Sequence, residues 1–101
     1  MVNVHESEGR VKIRINTTSL DRSNAVELRE AAAGVITPET KSVEIDCDDL
    51  KFIDSSGVGA LLHINNLLPP GSGPAILTKV HGTVLTVLEL VRVHRLFTIT
   101  D

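Results

Sequence analysis

Apolar and polar residues alternate at period two over Val2-Asn3-Val4 and again over Val11-Lys12-Ile13-Arg14-Ile15. Turn-forming residues from Glu6 to Gly9 separate the two runs, so the pattern predicts an opening hairpin whose second strand has one wet face. The period then changes. From Asp21 to Ile36, the residues Ala25, Leu28, Ala32 and Val35 recur at helical spacing, Glu27 and Glu30 fall on the far side of the wheel, and Pro38 follows. This predicts an amphipathic helix. Ser42-Val43-Glu44-Ile45-Asp46-Cys47 reads as a strand, and Asp48 to Lys51 as a polar connection to Phe52-Ile53. Between Ser56 and Leu68 a second helix is predicted: Gly57, Ala60, Leu61, Ile64, Leu67 and Leu68 share one face, with Gly59, His63 and Asn66 turned away. Pro69 to Pro74 ends it and forms a loop. Ala75 to Thr78 has the length of a strand. Val84, Val87, Leu88 and Val91 return to helical spacing, and Leu96 to Ile99 closes the chain as a last strand.

Strands alternating with helices point to an α/β fold: a single domain over residues 1–101, with a mostly parallel sheet of four to five strands, an N-terminal hairpin and right-handed crossover helices. Such sheets gather strand ends and helix starts along one edge, where ligands and partners engage. The connection from Phe52 into the second helix falls on that edge.

Composition narrows the functions open to such a chain. Leu, Ile, Val and Phe supply 34 of the 101 residues, well above the roughly 20 % expected of a disordered chain. Ten basic against 13 acidic residues give a net charge of -3, without the basic excess that phosphate backbones require, so no nucleic-acid partner is expected. Only two aromatics are present, Phe52 and Phe97, so no base-stacking platform is available. The lone Cys47 excludes an internal disulfide and fits a reducing compartment. No run approaches the roughly 18 apolar residues of a membrane span, and the first ten residues hold no apolar core of a signal peptide. The expectation is a cytoplasmic protein with no membrane partner.

The segment with most chemistry is Phe52-Ile53-Asp54-Ser55-Ser56-Gly57-Val58-Gly59-Ala60-Leu61-Leu62, which brings one carboxylate, two hydroxyls and two glycines to a helix start. Orphan N–H groups and the positive end of the helix dipole favour an anion there, either the Asp54 carboxylate or a phosphate on a serine. Spacing alone favours the plainer role, in which Asp54, Ser55 or Ser56 caps the helix and Gly57 lets helix and sheet approach. Capping explains one side chain. It leaves a second hydroxyl and a second glycine unexplained.

These residues resemble the signature of the STAS domain, the family named for sulfate transporters and anti-sigma-factor antagonists, and within it the small stand-alone bacterial antagonists. Leu20-Asp21 with Asn24-Ala25, Val43-Glu44-Ile45-Asp46 and Val87-Leu88-Glu89-Leu90 are similar to further family segments. The family commonly carries Gly where this chain has Thr18. The resemblance implies a partner-switching protein: unmodified, it occupies an anti-sigma factor that is also a serine kinase, and so frees a sigma factor for transcription. The kinase would use ATP to phosphorylate Ser56, and a metal-dependent serine phosphatase would reverse it. The implied partner surface comprises Asp21, Asp54, Ser55, Ser56, Gly57 and Val58. A non-catalytic scaffold or transporter accessory, not switched by phosphorylation, is the alternative.

Other chemistries fail on the residues. A Gly-x-Ser-x-Gly elbow has Ile53 or Asp54 in its first position, and Gly57-Val58-Gly59 has Leu62 where a dinucleotide fingerprint needs its third glycine. His5, His63, His81 and His94 lack paired zinc spacing, and the acidic run Asp46, Asp48, Asp49 lacks the glycine and terminal glutamate of a calcium loop. No catalysis, cofactor or metal is expected.

Overall fold

The structure, a computed structural model, describes residues 1–100. The elements run β1 (Val2–Ser7), β2 (Arg10–Ile15), β3 (Ser19–Leu20), α1 (Ala25–Ala33), β4 (Ser42–Asp46), β5 (Phe52–Ile53), α2 (Ser55–Leu67), β6 (Ile76–Thr78) and α3 (Gly82–Leu90). A single 3-10 turn, His94–Leu96, then leads to β7 (Thr98–Thr100). Five strands form one sheet in the order β1-β2-β4-β6-β7, in which only β1–β2 is antiparallel. The fold is therefore a small α/β domain with three helices and a mostly parallel sheet.

The hairpin closes more tightly than the sequence predicts. Glu8 and Gly9 both have positive φ, 53° and 84°, the signature of a two-residue type I′ turn whose twist matches that of the strands it joins. The Gly9 N–H donates to Glu6 Oε2 at 2.8 Å. From there β2 alternates strictly, with Val11, Ile13 and Ile15 buried and Arg10, Lys12 and Arg14 exposed. Because β2, β4, β6 and β7 succeed one another in a single direction, right-handed crossovers place all three helices on one face. The core lies between that face and the helices, and it is aliphatic: Ile13, Ile15, Ile45 and Leu77 from the sheet meet Leu28, Leu61, Ile64 and Leu88. On the open face, register sets Lys12 beside Glu44 and Arg14 beside Asp46. Opposite charges side by side keep that face wet without repulsion.

Several predicted boundaries move by a few residues, two of them for a clear local reason, and one small sheet is new. The first helix begins at Ala25, not Asp21, because residues 19–24 satisfy their backbone through side chains, as described below. The last strand begins at Thr98, not Leu96: Leu96 belongs to the 3-10 turn and is 51 % exposed, whereas Phe97 is buried. Ser19–Leu20 and Phe52–Ile53 pair in parallel as a separate two-stranded sheet. Two residues are too few for a periodic pattern to reveal a strand. This small sheet extends the chain beyond the C-terminal ends of β2 and β4, and it carries the site.

Candidate functional site

The site is built where β5 turns into α2. Asp54 has an extended backbone and is the N-cap of α2; its Oδ1 accepts from the Gly57 N–H at 3.0 Å. The bond satisfies one of the donors that every helix start leaves orphaned. The other carboxylate oxygen, Oδ2, accepts from the Arg22 N–H at 3.3 Å, so one side chain holds both the start of α2 and the loop before α1. Its own N–H donates to the Leu20 carbonyl at 3.2 Å.

Gly57 explains how the two can lie so close. A Cβ placed on it would stand 2.5 Å from the Leu20 carbonyl oxygen and 2.6 Å from Ile53 Cγ1. Any side chain would drive α2 off the β3–β5 sheet. The second signature glycine is different: nothing lies within 4 Å of a Cβ added at Gly59.

The loop before α1 is a network of its own. Asp21 accepts from the Ser19 hydroxyl at 2.7 Å and from both the hydroxyl and the N–H of Ser23. Asn24 in turn accepts from the Asp21 N–H and donates to the Ser19 carbonyl, at 2.9 and 2.8 Å. Side chains that capture nearby backbone groups in this way compete with helix formation, which is why α1 starts late. The Ser23 hydroxyl, then that of Ser19, then the Ser23 N–H hold the Asp21 carboxyl below the usual carboxylate range. Thr18, where the family commonly has Gly, is not among the positive-φ residues; its carbonyl accepts from the Lys51 and Phe52 N–H groups.

Asp21, Asp54, Ser55 and Ser56 come together with Arg22, Ser23 and Phe52 around one open groove. Ser55 is exposed and Ser56 half-buried, both in the first turn of α2. Ser56 also borders a second groove, which runs between α1 and α2 past Arg22, Arg29, Gly59, Leu62 and His63. It is the serine common to both. Gly57 and Val58 face inward and are buried, so they set the position of the loop and offer no side chain to a visitor. Phe52 lies outside the implied partner surface, yet it is exposed at the rim beside buried Ile53. The alternation of those two residues was the available signal.

The family model for the STAS domain matches residues 1–101. The chain belongs to the STAS family. Among solved structures, it is similar to an anti-sigma factor antagonist from Mycobacterium paratuberculosis, with TM-score 0.86 and 16 % identity over 100 % of this chain and 85 % of that one. An anti-sigma-factor antagonist (STAS) domain protein from Planctomyces limnophilus gives TM-score 0.80 and 18 % identity, over 99 % and 89 % of the two chains. The Bacillus cell fate determinant SpoIIAA in its phosphorylated form gives TM-score 0.73 and 21 % identity, over 100 % and 92 %. At these identities the likeness is one of fold. No helix among the described residues is long and apolar enough to cross a membrane.

Proposed function

We propose that this STAS domain, residues 1–101 acting as one unit, is a non-catalytic anti-sigma-factor antagonist whose partner contact is switched by phosphorylation of Ser56. The observation that carries the reading is the position of Ser56: within the first turn of α2, on the border of two open grooves, next to a carboxylate that caps the same turn. An anion at a helix start is favoured by the dipole and by free N–H groups, so the fold tolerates a phosphate of about -1.5 to -2 charges. In an interface the same charge must be desolvated or face partner carboxylates, and both oppose docking. The modified protein stays folded and releases its partner.

On this reading Asp54 presents the Ser56 hydroxyl, Ser55 shapes the rim, and Asp21 fixes the flanking loop; Gly57 and Val58 support them from below. The partners are an anti-sigma factor that is also a serine kinase, and a serine phosphatase, in the cytoplasm. SpoIIAA, the Bacillus protein of this fold, exists in a phosphorylated form.

Incubation with an anti-sigma-factor serine kinase from the same cell and ATP tests the reading. One added phosphate, mapped to Ser56 and lost in Ser56→Ala, is the expected result, and Ser56→Asp should fold normally yet fail to bind the unmodified protein's partner. Stable binding by Ser56→Asp refutes the switch. It would leave the scaffold role, in which Ser56 is only part of a helix start.

A further inference from the structure

The opposite edge of the sheet, where β2, β4, β6 and β7 begin, carries two unlike features at its two ends. At the β1–β2–β4 end, the hairpin turn and the connection from α1 to β4 enclose an open concavity of about 840 Å³, lined by Glu6, Glu8, Val35, Glu39 and Lys41 among others. Three carboxylates against one ammonium make it acidic. At the other end, α3 finishes beside the start of β7, and the chain there exposes apolar side chains: Leu90 is 76 % exposed, Val91 52 % and Leu96 51 %. Arg92 and Arg95 stand exposed between them, with Glu89 on the last turn of the helix. Clustered exposed aliphatics mark an interaction surface more often than scattered ones do.

Arg92 adds an independent mark. The Val93 N–H donates to the Leu88 carbonyl and the Arg92 N–H to that of Glu89, both at 3.0 Å, which is the Schellman pattern of helix termination. Its left-handed position usually belongs to glycine, yet here Arg92 occupies it at φ 62°. Strain kept in place of an easily available glycine points to a use for the side chain.

We infer that two copies of this chain associate edge to edge about a two-fold axis, each seating its apolar and basic projection, Leu90 to Leu96, in the acidic concavity of the other. Both halves of the contact already lie on one molecule, on the same edge, about three strand spacings or roughly 14 Å apart. A two-fold rotation exchanges the ends, so both contacts form at once and the assembly closes. Each contact then needs to bury only about 500 Å² to bring the total to the ~1,000 Å² of a stable interface. Carboxylates meet guanidinium groups, for which planar paired bonding is available. The Ser56 edge faces away and stays free, so this inference does not rest on the proposed switch.

Sedimentation equilibrium on the full chain, over a wide concentration range and at low and high salt, tests it. The expected result is a monomer–dimer equilibrium that weakens with salt. Arg92→Glu/Arg95→Glu and Glu8→Arg/Glu39→Arg should each be monomeric while keeping the wild-type circular dichroism. Mixed together, they should pair again, because each charge-reversed projection then faces a charge-reversed concavity and the unchanged halves still match. A wild-type chain that stays monomeric at low salt overturns the inference. So does growth beyond the dimer, a dimer indifferent to both variants, or failure of the folded variants to pair. Association of the wild type only with anionic phosphatidylserine vesicles, with no dimer, likewise overturns it.

Discussion

Two glycines three positions or fewer from the same serine have opposite reasons to exist. At Gly57 an added methyl group meets the Leu20 carbonyl at 2.5 Å, and overpacking against backbone costs about 1–3 kcal/mol. Gly57→Ala should therefore lower stability by that amount in urea denaturation. Gly59 is helical with open space around it, so Gly59→Ala should raise stability by roughly 0.5–1 kcal/mol, the ordinary gain of replacing a helical glycine. Gly59 borders the groove between α1 and α2, and an added methyl group there would stand in open space. Asp21 contributes a dependence on acid. Its carboxyl is held below the usual range in the folded state, so its contribution is complete above the unfolded value of about 3.9 and fades as pH falls through the lower folded one. Asp21→Asn should be less stable than wild type at neutral pH, and the difference should shrink on acidification, as read by denaturation at several pH values.

At the scale of elements, the helices were legible in the sequence and the short pieces were not. Leu28 and Ala32 of α1, and Ala60, Leu61 and Ile64 of α2, are buried as their spacing predicts, because burial of one face imposes the 3.6-residue period. Val91 breaks that rule: it continues the apolar spacing of α3 yet is exposed, since the helix has already ended at Leu90. Nothing in the local pattern announces a stop there, because the usual glycine is missing and Arg92 takes its place. Arg92→Gly should accordingly stabilise the chain by about 1 kcal/mol, measured by thermal unfolding at concentrations too low for self-association. The site was legible in a different way. Its serines, carboxylate and first glycine form one continuous segment, whereas Arg22, Ser23 and Arg29 reach the same grooves from a loop and helix that only the tertiary fold brings near.

For the whole molecule, the five-stranded sheet separates the two edges where its strands begin and end, and keeps a buried aliphatic interior between it and the helices. Cys47 reports on that interior. Burial, and secondarily the nearby Asp46 charge, push its thiol up to about 12, so native protein at neutral pH presents almost no thiolate. Labelling by a thiol reagent should be slow in buffer and accelerate with denaturant in step with global unfolding; fast labelling of native protein would mean that β4 opens locally. The near contact of α2 with β3 has a wider consequence. Where backbone meets backbone, the frame of the groove does not depend on the side chains of Phe52 and Arg22 around its mouth. On the proposed reading, substitutions at those two positions change which regulator docks without disturbing the architecture, and so keep several such proteins in one cell insulated from crosstalk.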